Sequence, residues 1–136
     1  MTDWTQTHPT QTMTTPGGER VEIDLEMIPL LTQLWRHGFE TLLACQDLGE
    51  AILGGGTRVP PQERESHAAD RMGRAWLKVR MEDGPRLLEA LQPLSDYQGW
   101  VLHAEEARGR PWVSVTFPRQ DIVEAAALLG RAPSMQ

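Results

Sequence analysis

The sequence of 136 residues contains one cysteine and one lysine, only 6% aromatic residues, and no apolar run near 18 residues. A single cysteine excludes a disulfide-stapled fold and suits a reducing compartment. The absence of a long apolar run argues against a membrane-spanning helix. The remaining composition, 40% hydrophobic and 24% charged, is that of one ordinary globular domain with a buried core.

Acidic residues outnumber basic ones by 19 to 13, which gives a net charge of -6. That balance matches a phosphate backbone poorly, and the arginines form no run, so we expect no nucleic-acid partner. The first residues show no basic segment followed by an apolar one. We therefore expect no secretory signal, no membrane partner and a cytoplasmic location.

The chain divides into one expected domain and two tails. Residues 1–18 are polar and Thr-rich and are expected to form a disordered tail. Residues 19–132 are expected to form a single α+β domain that contains an insertion at about 48–73, and residues 133–136 a second tail.

The first half of the domain predicts a strand, a helix and a second strand. The first strand covers Arg20–Ile23, and Asp24 is a plausible N-cap for the helix. Pro29 leaves two alternatives open, since the helix either starts after Leu25 or has an irregular first turn. Phe39–Cys45 then reads as a buried or half-buried strand.

The second half predicts a strand, a helix, a hairpin and a last helix. The strands are expected at Arg74–Met81, at residues 100–106 and at Trp112–Phe117, and the helices after Asp83 and at Asp121–Leu129. The full order, β-α-β-(insertion)-β-α-β-β-α, predicts an α+β fold. Its core would be a small, mainly antiparallel sheet with two to three helices packed on one face.

The insertion at 48–73 carries no strand signal, so it is expected to be either helical or flexible. Asp47, with Glu50 three residues later, fits a capping box that opens a short helix. Pro60 and Pro61 could open a second, largely polar helix.

Cys45, Gln46 and Asp47 stand where a strand is expected to end and a helix to begin. A thiol at such a junction can become a reactive thiolate or line a small pocket. Gln46 could then orient an amide or carboxylate, and Asp47 or Glu50 could act as a base or ligand. In the alternative interpretation Cys45 is a small buried hydrophobe and Asp47 is only a helix cap.

A catalytic role for Cys45 needs a histidine, and His103 on the expected hairpin is the candidate that we pair with it. Trp76 lies opposite the apolar face of its strand. It is therefore a ligand-binding candidate if that face is open, or a buried residue if the insertion covers it. No metal-binding spacing and no nucleotide-binding loop are present, so the sequence predicts no metal site and no cofactor.

One stretch resembles a known group of proteins. Pro29-Leu30-Leu31, Leu34-Trp35, Gly38 and Cys45-Gln46 follow a pattern, "PLL..LW..G" and then a strand ending in Cys-Gln. It is similar to small uncharacterised proteins of actinobacteria and their phages. The resemblance covers residues 23–47, with Ala44 where those proteins have serine. It implies that the helix and the Cys-Gln strand form one module, and it brings no activity.

These observations support two functional hypotheses. In the first, the protein binds a partner protein or a small ligand near the Cys45 junction and the insertion. In the second, it is a small enzyme of specialised metabolism that uses Cys45 or a His/carboxylate pair for nucleophilic or acid–base catalysis. The sequence carries no signal of oligomeric state.

Overall fold

A computed structural model of the chain describes residues 8–55, 57–97 and 99–132. The strands are β1 (Thr10–Thr14), β2 (Arg20–Asp24), β3 (Thr41–Cys45), β4 (Arg74–Arg80), β5 (Val101–Leu102) and β6 (Trp112–Pro118). The helices are α1 (Ile28–Arg36), α2 (Leu48–Leu53), α3 (Arg64–Ala69), α4 (Gly84–Ala90) and α5 (Ile122–Arg131). Single turns of 3-10 helix lead into α1, α3, α4 and α5.

Four strands form the main sheet in the order β3-β4-β6-β5, with every neighbouring pair antiparallel. Side chains on β4 and β6 alternate between buried and half-buried, as expected for a sheet covered on one face. The buried set packs with apolar residues of α1, α4 and α5, including Leu34, Leu87 and Leu129. The predicted α+β architecture is therefore confirmed.

The β1–β2 hairpin forms a separate two-stranded sheet. The prediction of a disordered tail is wrong for Thr10–Thr14, because these residues pair in register with Arg20–Asp24. β-branched threonines alternate along β1, which favours a strand, and the amide of Gly18 donates to the carbonyl of Thr15 to close the turn. β2 was expected in the main sheet but pairs with β1. Residues 1–7 and 133–136, which belong to the two expected tails, lie outside the described residues.

The start of α1 follows one of the two expected alternatives, and one strand boundary differs from the prediction. Helix α1 begins at Ile28, later than Leu25, so Pro29 lies in its first turn, where the missing N–H removes no helical hydrogen bond. Strand β5 covers only Val101–Leu102 rather than residues 100–106. The amide of His103 still donates to the carbonyl of Ser114 at 2.9 Å, and the chain then turns away from β6.

The insertion contains two short helices, α2 and α3. Of the two expected alternatives, helical or flexible, the structure has the helical one. Helix α2 packs against α3 and β4. The amide of Gly49, in the first turn of α2, donates to the carbonyl of Arg71 at 3.0 Å. This contact holds the start of α2 against the turn that precedes β4. Within the described ranges, no helix combines the length and the apolar character needed to cross a lipid bilayer.

Candidate functional site

A cavity of about 380 Å³ lies between the β1–β2 hairpin and strand β3. Its walls are mostly apolar and come from the hairpin, from β3 and from Ala51 of α2. Trp76 of β4 and Thr57 of the insertion complete the lining. The cavity therefore brings together the sheet, the Cys45 junction and the insertion.

One end of this cavity is polar and buried. His8, Asp24 and Cys45 line it and are 7%, 8% and 8% exposed. One potential ligand atom from each lies within 4.8 Å of the other two. We call these three residues the HDC cluster. The sequence predicted no metal site, and the structure now places three residues that could hold a metal ion in one pocket.

His8 links the hairpin to two carboxylates. Its Nδ1 lies 3.1 Å from Asp24 Oδ2 and its Nε2 lies 3.1 Å from Glu50 Oε1. A neutral imidazole carries one N–H and can donate only one of these two hydrogen bonds. The ring donates both only when each of its nitrogens carries a hydrogen. The HDC cluster therefore attracts positive charge, whether on the ring itself or on a bound cation.

Arg119 connects the same region to the far end of β6. Its guanidinium donates to Asp47 Oδ2 and Glu50 Oε1, both at 3.1 Å, and to both carboxylate oxygens of Glu26. The hydrogen bonds from Arg119 lower the pKa of Glu26, and those to Glu26 raise the pKa of Arg119. Glu26, Asp47, Glu50 and Arg119 form what we call the Arg119 network.

Asp47 is the predicted cap of α2. Its Oδ1 accepts from the amide of Glu50 at 3.0 Å, and its Oδ2 also accepts from the amide of Gly73. Its three hydrogen-bond donors, two backbone amides and the Arg119 guanidinium, all belong to the folded chain, so both carboxylate oxygens of Asp47 are occupied. Asp47 therefore stabilises the fold as the cap of α2. Glu50 contacts both His8 and Arg119.

Gln46 ties β3 to the turn after β2. Its side-chain oxygen accepts from the amide of Glu26 and its side-chain nitrogen donates to Glu26 Oε2, each at 3.1 Å. Its own amide donates to Asp24 Oδ2 at 2.9 Å. These bonds orient Gln46 toward the protein, so it positions Asp24 beside Cys45. Asp24 stands at the N-cap position of the 3-10 turn that leads into α1, but its side chain makes no capping hydrogen bond and contacts His8 and the Gln46 amide instead.

Burial raises the pKa of the Cys45 thiol to about 12. The carboxylates of Asp24, Asp47 and Glu50 add to the rise, and the backbone hydrogen bond from Asp47 offsets part of it. A thiol is a nucleophile only as the thiolate. Cys45 is therefore protonated at neutral pH when no metal is bound to it.

Metal-free protein is expected to react slowly with iodoacetamide at pH 8. Relative to the ordinary thiol pKa of 9.0, the rise to about 12 lowers the thiolate fraction about a thousandfold, and burial slows the reaction further. The rate is measured by mass spectrometry in EDTA, with the urea-unfolded chain as the control that restores ordinary reactivity. A native rate equal to that of glutathione would contradict this environment for Cys45.

His103 and Cys45 are not brought together. β3 and β5 are the two edges of the main sheet, separated by β4 and β6. His103 follows β5, where its Nε2 lies 2.9 Å from Thr116 Oγ1. The histidine beside Cys45 is instead His8, which belongs to a segment that was expected to be disordered.

Trp76 is half-buried on the sheet face opposite α1, α4 and α5, directly across from Cys45 in the β3–β4 register. Its indole N–H donates to Ser114 Oγ at 3.0 Å. The ring therefore has a fixed orientation and lines the cavity. This position is intermediate between the two alternatives for Trp76, an open face and burial under the insertion.

Sequence reasoning found Cys45 and its neighbours but missed His8, Glu26 and Arg119. The position of His8 could have been inferred from the alternating threonines of β1 and the Pro-Gly-Gly turn, which together indicate a hairpin. No sequence pattern indicates that Arg119 contacts Asp47, which lies 72 positions earlier in the chain.

Comparisons with protein-family models, with curated proteins and with solved structures find no match to this chain.

Proposed function

We propose that the protein binds a small ligand with an apolar body in the cavity between the hairpin and β3. The observation that carries the proposal is the combination of apolar walls with one buried polar end, the HDC cluster. Binding pockets for small molecules typically have volumes of about 300–1,000 Å³ and mostly apolar linings with a few polar groups. The volume and the lining of this cavity fit that description.

Each wall has a separate role in this proposal. Val21 and Ile23 of β2 and residues of β3 exclude water from the ligand body, and Trp76 offers an aromatic ring of fixed orientation. The HDC cluster contacts the polar end of the ligand. We place this binding in the cytoplasm, which is supported by a thiol that has no second cysteine to pair with.

The enzyme hypothesis has less support. The high pKa of Cys45 opposes a thiolate nucleophile, and His103 lies at the opposite edge of the sheet. Docking of a partner protein is likewise not favoured by any specific contact among the described residues. Ligand binding uses the cavity without requiring either.

Indole, as a small apolar probe, is expected to bind the protein saturably with one molecule per chain. Ala51→Leu places a larger side chain at the cavity wall and is expected to weaken binding at least about tenfold, or about 1.4 kcal/mol. Ala69→Leu in the exposed part of α3 is the matched control and is expected to bind as the natural chain does. Isothermal titration calorimetry measures all three.

Val21→Phe provides a second block from the opposite wall and keeps a residue that favours strands. Circular dichroism establishes that each variant is folded. Equal indole affinity in the natural chain, Ala51→Leu and Val21→Phe would place the bound indole elsewhere and contradict the proposal, as would the absence of saturable binding.

A further inference from the structure

The HDC cluster combines one nitrogen, one oxygen and one sulfur donor from three separate parts of the chain. His8 precedes β1, Asp24 ends β2 and Cys45 ends β3. All three are buried and their donor atoms lie within 4.8 Å of one another. In a tetrahedral zinc site with bonds of about 2.0–2.3 Å, ligand atoms are about 3.5 Å apart. Small side-chain movements therefore bring these donors around one ion.

The charge around the cluster favours a cation. Two carboxylates, Asp24 and Glu50, face His8, and Glu26 and Asp47 lie behind them on Arg119. These four carboxylates are met by one guanidinium and one imidazole. Asp24 and Asp47 are buried and Glu50 is half-buried, whereas Glu26 is exposed. Around the three less accessible carboxylates an added cation interacts more strongly than in water.

Glu50 also fits the carboxylate that commonly supports a metal-bound histidine through its other ring nitrogen. Nδ1 faces Asp24 and is the nitrogen on the side of the cluster, while Nε2 faces Glu50. Metal-bound histidines usually donate the other ring N–H to a carboxylate or carbonyl, which fixes the tautomer and the ring orientation. Glu50 stands at that position, and its other contact, Arg119, holds it there.

We propose that His8 Nδ1, Asp24 and Cys45 Sγ bind one zinc ion, with a fourth position open to the cavity. The sulfur and imidazole donors select Zn²⁺ over Mg²⁺ and Ca²⁺, which prefer oxygen ligands. On binding, the Cys45 thiol releases its proton to the buffer and the sulfur donates an electron pair to the metal. Three protein ligands with an open fourth position are typical of zinc sites that act on or bind a small molecule. This inference goes beyond the proposed ligand binding and does not rest on it.

Cobalt, as a spectroscopic substitute for zinc, tests the proposal on the full-length chain. EDTA-treated protein is titrated with Co²⁺, and a near-ultraviolet band from sulfur-to-cobalt charge transfer is expected to saturate at one ion per chain. An equimolar amount of Zn²⁺ is expected to abolish the band, and an excess of Mg²⁺ to leave it unchanged.

Two variants test individual ligands, and a third serves as the control. Cys45→Ser is expected to lose the band, and Asp24→Asn, which retains an oxygen that can accept from Gln46, is expected to weaken Zn²⁺ binding by more than about tenfold. Loss of a hydrogen-bond partner of a metal ligand already lowers metal affinity about 10–100-fold. Loss of a direct ligand is therefore expected to lower it by at least this tenfold bound. His103→Gln, at the opposite edge of the sheet, is the matched control and is expected to bind as the natural chain does.

The proposal fails if the natural chain shows no sulfur-to-cobalt band at saturating Co²⁺. It also fails if Asp24→Asn, folded by circular dichroism, binds Zn²⁺ as tightly as the natural chain. Indole binding by EDTA-treated protein is measured separately, so loss of the metal proposal leaves the ligand proposal open to its own test.

Discussion

Replacing Arg119 by methionine is expected to lower the free energy of unfolding by about 2–3 kcal/mol at neutral pH, because Arg119 donates to three carboxylates. The Asp47 side chain is only 3% exposed, and water does not replace the lost guanidinium there. Hydrogen bonds to charged groups contribute about 1.5–3 kcal/mol. Urea unfolding measures the change, with Arg71→Met on the exposed surface as a control expected to lie within about 0.5 kcal/mol of the natural chain.

The difference in stability between the natural chain and Arg119→Met is expected to depend on pH. Arg119 lowers the pKa of Glu26 from its ordinary 4.5, so this contribution to stability is present above pH 4.5. It is lost as the pH falls through the lower value of the folded state. The stability difference between the natural chain and Arg119→Met should therefore shrink on acidification. A cost below about 1 kcal/mol, or parallel stability curves from pH 7 to pH 3, would contradict the role of the Arg119 network.

Replacing Gly49 by alanine is expected to destabilise the protein by about 1–3 kcal/mol. Helix propensity alone predicts the opposite sign, since alanine stabilises a helix interior by about 1 kcal/mol relative to glycine. A Cβ at position 49 would lie 2.6 Å from the backbone Cα and N of Met72. Backbone cannot rotate away as a flexible side chain can, so α2 must move, and overpacking of this kind typically costs about 1–3 kcal/mol.

Gly130→Ala is the matched control for this prediction. Position 130 lies in α5, and a Cβ there would be 3.7 Å from the Gln33 side chain, an ordinary van der Waals distance. This variant is expected to be as stable as the natural chain or up to about 1 kcal/mol more stable. Urea unfolding of both variants gives the signs. A stabilised Gly49→Ala protein would show that α2 does not approach the backbone at Met72 this closely.

Local patterns predicted much of the fold. Alternation along β4 indicated which face is buried, and the Asp47–Glu50 pair indicated the start of α2, because these signals act within a few residues of the chain. The same locality explains the prediction that the Cys45 junction is the part of the molecule to investigate. Gln46 and Asp47 do lie there, although their hydrogen bonds hold the protein together.

The remaining features depend on contacts between distant segments. His8 reaches Asp24 and Glu50 only because the hairpin packs beside β3, and the polar composition of residues 1–18 favoured disorder. Arg119 joins the cluster because β6 ends next to the start of α2. His103 was the histidine within a strong strand pattern, but the sheet order places it at the edge opposite Cys45. Strand order is set by the whole chain and is not visible in any one segment.

Mapping the indole site by NMR tests the central claim most directly. In a ¹H–¹⁵N spectrum of the full-length chain, indole is expected to shift the backbone amides of Ile23, Leu43 and Cys45 and the indole N–H of Trp76, all at the cavity between the hairpin and β3. Shifts that cluster instead at Val101 and His103, on the opposite edge of the sheet, would contradict the claim that this cavity is the binding site.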